Sequence, residues 1–184
     1  MDFSEIELST RITLDDNTTG DRLWSQAEIL EYAQDAENEA AERAGLLLDN
    51  SGAFTDISVN TSTALYTMSN TIVDVRSAIM ALGTKELLRT TEKVLDLSYA
   101  SWRSNTGTPR SYFVSATNEI RVYPQPIVVD TINMTVTRFP NTPMTINGSP
   151  EIQARDHPGL LEWILYRSYM KNDSETLNVD KALD

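Results

Sequence analysis

A capped helix near the N-terminus constrains the fold of this chain more than any other feature. Ser25-Gln26-Ala27-Glu28 has the pattern of a capping box, and Trp24 and Ile29 flank it at the spacing of a hydrophobic staple. After the cap, apolar and mostly small residues recur at spacings of three and four, at Ile29, Ala33, Ala36, Ala40, Ala44 and Leu47. Such spacing places them on one narrow helical face. The pattern predicts a helix from Ser25 to about Leu48, with a face that a second helix can approach closely.

The rest of this helix surface is acidic. Its charged residues are Glu28, Glu31, Asp35, Glu37, Glu39 and Glu42, with Arg43 as the only basic residue among them. Glu31, Asp35 and Glu39 repel one another along a single i, i+4 row. Three interpretations are open: a solvated face, a contact with a basic partner, or the lining of an acidic passage. The candidate residues for lining a passage are Glu31, Asp35, Glu39 and Glu42.

The charge of the chain is concentrated at one end. The formal net charge is −12, and residues 1–50 contribute 13 acidic and 3 basic side chains to it. Tight binding to a nucleic-acid backbone requires clusters of arginine and lysine that displace counterions. The composition therefore argues against DNA binding, although DNA can pass close to such a protein without being held.

Length and composition limit the class of protein further. A chain of 184 residues forms one large domain or two small ones, and the absence of cysteine excludes disulfides and cysteine metal sites. No run of about 18 apolar residues occurs, and the first residues lack the pattern of a signal peptide. We expect a soluble protein without a membrane partner that is not exported by a signal peptide.

The order of sequence patterns predicts an α+β protein. Threonine, serine and β-branched residues replace the helical pattern after residue 52, and Ile132, Met134 and Val136 alternate with polar residues as in an antiparallel strand. We predict a bundle of three main helices with an antiparallel β-sheet or small β-sandwich and extended terminal arms. The assigned segments are an N-terminal arm at 1–23, the bundle at 24–52, 84–107 and 150–172, the β domain at 53–83 and 108–149, and a C-terminal arm at 173–184.

The last predicted helix is apolar around nearly its whole circumference. A helix of this kind is either central in the fold or also part of a subunit interface. The side chains predicted to form an oligomer or portal interface come from this helix and from the C-terminal arm: Trp163, Tyr166, Tyr169, Met170, Leu177, Val179 and Leu183. The arms are of a kind that often becomes ordered on a partner.

Few residues of this chain are in patterns typical of catalytic, phosphate-binding or metal-binding sites. His157 is the only histidine, and local packing or hydrogen bonding in the first turn of a helix is favoured over catalysis for it. No phosphate-binding glycine motif or nucleophile elbow is present. The acidic pairs Glu28/Glu31 and Asp35/Glu39 leave a carboxylate-dependent hydrolase as a rival hypothesis. We predict no enzyme, no cofactor and no metal site.

Several short sequence segments, which we call phrases, resemble in their order the head-to-tail adaptor (connector) proteins of tailed bacteriophages. They begin with Arg11-Ile12-Thr13-Leu14-Asp15-Asp16 and include Gly107-Thr108-Pro109-Arg110-Ser111-Tyr112. The remaining phrases lie at 22–25, 28–37, 102–103, 120–126, 150–152, 160–167 and 171–173. The resemblance spans nearly the whole chain and rests on the order of the phrases.

This resemblance implies a virion structural protein without a catalytic site, located at the head-tail junction and assembled in the host cytoplasm. It implies a ring of identical copies, typically twelve, beneath the portal protein. The implied partners are the portal, a tail nozzle or stopper protein, tail fibres, and double-stranded DNA that passes through the lumen without specific binding. The alternative is an acidic protein-binding module or DNA mimic that does not assemble into a ring.

Overall fold

The structure is a computed structural model that describes residues 1–17, 20, 22–83, 85–115 and 118–171. The chain divides into two compact units. The helical unit combines Met1–Leu47 with Phe139–Asp184, and the β unit is the continuous segment Leu48–Arg138. The α+β class predicted from the sequence is confirmed.

The α-helices of the described residues are α1 (Phe3–Leu14), α2 (Gln26–Glu39), α3 (Glu92–Ser98) and α4 (His157–Tyr169). A π-helical turn at Ala40–Ala44 extends α2, and Gly45 ends it in the left-handed conformation with a φ of 62°. Glycine adopts this conformation without the steric cost that a Cβ would bring. A 3₁₀ turn at Ala154–Asp156 leads into α4.

The helical unit is built from α1, α2 and α4, which pack against one another pairwise. Their buried side chains form a single cluster with residues of the loop before α4. The cluster consists of Phe3, Ile6, Trp24, Ile29, Ala33, Ala36, Ala41, Leu47, Met144, Ile152, Leu160 and Ile164. Ala33 and Ala36 of the predicted face thus pack against neighbouring helices. Farther along, in the π-helical turn, Ala41 is buried and Ala44 is exposed, which the regular spacing of the alanines does not predict.

The N-terminal segment differs from the arm that the sequence analysis assigned to residues 1–23. Asp2 caps α1 and forms a capping box with Glu5, and Phe3 and Ile6 are fully buried. The prediction was wrong because Ile6, Leu8, Ile12 and Leu14 look like an irregular alternation in sequence. In α1 the buried positions are Phe3, Ile6, Thr10 and Arg11, and the first three are spaced by three and four.

The strands of the β unit are short apart from two of nine residues each. They are β1 (Leu48–Asp49), β2 (Asp56–Val59), β3 (Leu65–Thr67), β4 (Ile72–Met80), β5 (Leu88–Arg89), β6 (Thr106–Gly107), β7 (Ser111–Ser115), β8 (Glu119–Tyr123), β9 (Gln125–Pro126) and β10 (Asp130–Arg138). The long strands β4 and β10 pair in antiparallel fashion.

Two four-stranded sheets make up most of the β unit. In the first, β10 pairs with β4 and also with β1 and β2, all antiparallel. In the second the order is β3-β8-β7-β5, and β5 is parallel to β7. A third pair, β6 with β9, is parallel. Side chains from both four-stranded sheets share one apolar core that includes Tyr66, Tyr112, Ile120, Ile132 and Met134, so the sheets pack as a small sandwich.

Strand β10 shows the predicted alternation of buried and less buried side chains as far as Val136, and the alternation ends there. Ile132, Met134 and Val136 are buried, but Thr137 is buried as well, at 1% exposure. Register irregularities against β4 occur at Thr135/Val136 and at Thr137/Arg138. A bulge of this kind turns successive side chains to the same face, which a strict alternation does not anticipate.

The described helices do not form the bundle predicted from 24–52, 84–107 and 150–172. Residues 84–107, assigned to that bundle, fall within the β unit, where α3 is only seven residues long. Trp102 packs there against Phe113 of β7 and Tyr123 of β8 at ring distances of 6.0 Å. Conversely, 139–149 belongs to the helical unit, because Met144 is buried in the core of that unit. The predicted arm at 173–184 lies outside the described residues.

Candidate interaction surfaces

The start of α2 has both halves of a capping box. The Ser25 hydroxyl accepts from the Glu28 amide at 3.2 Å, and Glu28 Oε2 accepts from the Ser25 amide at 2.8 Å. Trp24 and Ile29, the two residues of the proposed staple, are buried in the same apolar cluster. Trp24 thus serves to anchor the chain as it enters α2.

Basic side chains from the end of α4 and from the residue after its C-cap meet the acidic surface of α2. Lys171 Nζ lies 2.8 Å from Glu28 Oε1 and donates to the Leu23 carbonyl at 3.0 Å. The Lys171 ammonium and the Ser25 amide hold the pKa of Glu28 at about 2. One turn earlier on α4, Arg167 Nη2 lies 3.2 Å from Asp35 Oδ2. These contacts neutralise part of the acidic surface within the unit.

The four candidate passage-lining residues therefore have unequal surroundings. Glu31 and Glu42 are exposed, Asp35 pairs with Arg167, and Glu39 forms an ion pair with Arg43 one turn along the helix. The sequence pattern indicates only Arg43 as a counter-charge. Arg167 and Lys171 lie more than 130 positions away in the chain, so no local pattern pairs them with α2, although two basic residues near the end of a helix are a usable signal.

The predicted interface residues of α4 are divided between the interior and the surface. Leu160, Ile164 and Ser168, four residues apart, form the buried face of α4. Trp163 and Tyr169 are half-buried, whereas Tyr166 and Met170 are 37% and 40% exposed. Leu177, Val179 and Leu183 lie outside the described residues.

A groove lies between the C-terminal part of α2 with its π turn and the N-terminal part of α4. It encloses about 650 Å³. Ala36, Ala40 and Ala44 line one wall, and Gly159, Leu160 and Trp163 line the other. The alanine spacing predicts one wall of this groove, whereas no local pattern predicts that Gly159 lies opposite it on a facing helix.

His157 is buried at the start of α4 and both of its ring nitrogens have partners. Nδ1 lies 2.9 Å from the terminal amine of Met1, and Nε2 lies 3.1 Å from the Ile152 carbonyl oxygen. A terminal ammonium only donates, so Nδ1 accepts and Nε2–H donates to the carbonyl. The geometry agrees with the local hydrogen-bonding role favoured from the sequence. Within the described ranges, no group of three or more histidine, aspartate or glutamate side chains is placed to hold a metal ion.

A comparison with known protein families shows which family the chain belongs to. A family model described as SU10 adaptor protein matches residues 1–183. The chain belongs to this family. The SU10 adaptors are phage head-to-tail adaptors, so the resemblance stated from the sequence is confirmed. A search of curated proteins found no match to this adaptor.

Membership assigns this adaptor to the head-tail junction of a phage virion, where it associates with portal and tail proteins. In the portion of the adaptor that the structure describes, no helix combines the length and apolar character needed to cross a membrane.

Proposed function

We propose that this adaptor acts as a ring of about twelve identical copies seated beneath the portal, which it joins to a tail nozzle or stopper protein. The observation that carries this proposal is the family match over residues 1–183, which includes both compact units. The role is structural, and we propose no catalytic step for it.

The surfaces of α4 support assembly. Tyr166 and Met170 are partly exposed, away from the buried face of α4, and Trp163, one turn before Tyr166, lines the α2–α4 groove. Large apolar side chains at a protein surface gain free energy when a partner removes them from water. A ring protomer has such a partner on each side.

We propose further that double-stranded DNA passes through the lumen of the ring without specific binding. The net charge of −12 supports this, since carboxylates repel the phosphate backbone. Among the predicted lining residues, Glu31 and Glu42 fit this role best because they are exposed, whereas Asp35 and Glu39 already have basic neighbours.

Electron microscopy of the adaptor mixed with the portal protein of its own phage tests the ring. We expect additional density with rotational symmetry beneath the portal, and class averages give the number of copies. An adaptor that remains monomeric at high concentration and leaves the portal bare would contradict the proposal. That result would favour the free-standing acidic module instead.

A pair of charge-removing variants tests the lumen. In phage assembled with Glu31→Gln/Glu42→Gln adaptor, we expect a defect in genome retention or ejection, measured as the fraction of DNA-filled particles and the rate of DNA release. The control variant, Asp56→Asn/Glu86→Gln, removes the same charge from exposed positions of the β unit. Equal behaviour of the two variants would exclude a lumen role for Glu31 and Glu42.

A further inference from the structure

The loop before α4 contains the only asparagine of this chain that is followed by a glycine, Asn147-Gly148. The Gly148 amide donates to the Thr145 carbonyl at 2.9 Å, which closes a β-turn. Met144 before the turn and Pro150 after it are buried, whereas the Asn147 side chain is exposed. The turn therefore presents Asn147 to solvent while both of its ends are anchored in the protein.

This turn also fixes the start of α1. The Gly148 carbonyl oxygen accepts from the Phe3 amide at 2.9 Å. Phe3 is the first residue of α1, and an amide in the first turn of a helix has no partner within the helix itself. The Phe3 side chain is fully buried in the core of the helical unit. A displacement of Gly148 would thus remove the hydrogen bond that holds the first residue of α1.

Close packing in the turn requires glycine at position 148. A Cβ on Gly148 would lie 3.0 Å from Thr145 Oγ1 and 3.2 Å from the Thr145 amide nitrogen. Both separations are shorter than ordinary van der Waals contact, so a larger residue would force the turn apart. The missing Cβ also leaves the Gly148 nitrogen unshielded and its backbone freer to rotate. The residue that fits this turn is therefore also the residue type whose nitrogen most easily reaches the preceding side chain.

We propose that Asn147 is a site of spontaneous deamidation, and that the reaction loosens the docking of α1. The Gly148 amide nitrogen loses its proton to solvent and attacks Cγ of Asn147. A new C–N bond closes a succinimide ring, while the bond to the side-chain nitrogen breaks and that nitrogen leaves as ammonia. Water then opens the ring at either carbonyl and gives aspartate or isoaspartate. Water is the only co-reactant, and the inference does not depend on the proposed ring of adaptor copies.

The isoaspartate product changes the backbone itself. Its main chain runs through Cβ and Cγ, which inserts one methylene group between Cα of residue 147 and the Gly148 nitrogen. A turn closed by the hydrogen bond from Gly148 to Thr145 cannot take up an extra backbone atom unless Gly148 moves. Either product also replaces a neutral amide with a carboxylate. We expect the hydrogen bond from Phe3 to Gly148 to weaken and the first turn of α1 to fray.

The docking of α1 should in turn control the rate of the reaction. The hydrogen bond from Gly148 to Thr145 must open before the Gly148 nitrogen can attack, and the Phe3 amide opposes this opening by holding the Gly148 carbonyl. Asp2 caps α1 by accepting from the Glu5 amide at 2.9 Å. Asp2→Ala removes this cap and destabilises the first turn. We expect faster deamidation in this variant than in the wild type.

Peptide mapping by mass spectrometry tests the site. A trypsin digest yields the peptide 139–155, which contains Asn147 and also Asn141, an exposed asparagine followed by the β-branched Thr142. After incubation of the full-length adaptor in mildly alkaline buffer, we expect aspartate and isoaspartate at Asn147 and an unchanged Asn141. A sample digested without incubation gives the background. An Asn147 that stays intact in the folded adaptor, or that reacts no faster than Asn141, would overturn the proposal.

Asn147→Gln is the matched control variant. Glutamine keeps the amide at an exposed position, but its cyclisation requires a larger ring that forms much less readily. Circular dichroism and thermal unfolding establish that Asn147→Gln and Asp2→Ala are folded. Equal rates of deamidation in Asp2→Ala and the wild type would overturn the part of the proposal in which α1 protects the turn.

Hydrogen exchange measures the consequence for α1. We expect the Phe3 amide to exchange about tenfold faster in incubated wild type than in fresh wild type, the factor that corresponds to one hydrogen bond of ordinary net strength. Incubated Asn147→Gln should exchange like the fresh protein. The Ile132 amide, in the separate core of the β unit, should be unchanged in every sample. Complete conversion to isoaspartate without faster exchange of the Phe3 amide would overturn the link between the site and α1.

Discussion

At the level of single residues, Asp49 shows how one ionised side chain stabilises the β unit. Its Oδ1 accepts from the Ser51 amide at 2.9 Å, and its Oδ2 accepts from Arg138 Nε at 2.9 Å. The Ser51 amide and the Arg138 guanidinium lower the pKa of Asp49 from 3.8 to about 2 against the opposing effect of burial. A lowered pKa stabilises the folded state above the unfolded pKa, and this stability is lost as the pH falls through the folded pKa.

We therefore predict that Asp49→Asn lowers the free energy of unfolding of the β unit by roughly 1–2 kcal/mol at neutral pH. The difference from the wild type should shrink as the pH is lowered from about 4 to about 2, the interval between the unfolded and folded pKa values. Urea titrations at several pH values measure the free energy of unfolding of both proteins. Asp56→Asn, at an exposed position of β2, is the control. A difference between Asp49→Asn and the wild type that does not change with pH would contradict the prediction.

A second prediction for a single residue concerns the stability effect of replacing Gly159. It lies in the first turn of α4, and a Cβ there meets no atom within 4 Å. We predict that Gly159→Ala raises the stability of the helical unit by about 0.5–1 kcal/mol, because alanine loses less backbone entropy than glycine in a helix. Thermal unfolding measures the change. A lower melting temperature would mean that the helix needs glycine at this position.

At the level of elements, the docking of α1 depends on one buried arginine. Arg11 Nη1 donates to Asp16 Oδ2 at 2.5 Å and to the Trp24 carbonyl at 3.0 Å, and Arg11 Nε donates to Glu7 at 2.9 Å. Asp16 in turn accepts from the Leu23 amide at 2.9 Å. The network holds the end of α1 against the segment that leads into α2.

We predict that Arg11→Met destabilises the helical unit by about 3 kcal/mol, because it leaves the buried carboxylate of Asp16 without its positively charged partner. The control is Arg22→Met. Arg22 is exposed and lies 3.9 Å from Glu7, so its loss should cost less than about 0.5 kcal/mol. Denaturant titration followed by helical circular dichroism compares the two variants. Losses of similar size would show that burial of Arg11 contributes no special stability.

At the level of the whole molecule, the two units differ in how the chain builds them. The β unit is one continuous segment with its own apolar core, whereas the helical unit needs segments from both sides of it. Leu160 and Ile164 of α4 complete the core that Phe3, Ile6 and Ile29 begin. The β unit therefore contains its whole core in one segment, whereas the core of the helical unit is complete only when both of its segments are present.

We predict that the fragment of residues 48–138 folds independently and unfolds cooperatively, as domains with their own core do. The fragment of residues 1–47 should remain unfolded, because its apolar residues lack their partners from α4. Thermal unfolding and the dispersion of amide signals in nuclear magnetic resonance spectra distinguish the outcomes. A collapsed but non-cooperative 48–138 fragment would show that the β unit depends on the remainder of the chain.

The sequence by itself determined features that depend on neighbours within a few positions, and the family resemblance, which rests on ordered local phrases. The Ser25 cap of α2 and the buried alternation of Ile132, Met134 and Val136 are of this kind, because capping and strand patterns involve residues two to four apart. Together they were sufficient for the α+β class.

Only the tertiary structure decided which elements pack together. It assigned 84–107 to the β unit, made a packed helix of the N-terminal segment, and brought Arg167 and Lys171 to the acidic surface of α2. It also formed the α2–α4 groove. These features join residues that are far apart in the chain, and no local pattern specifies such contacts because they depend on the burial of the whole apolar core.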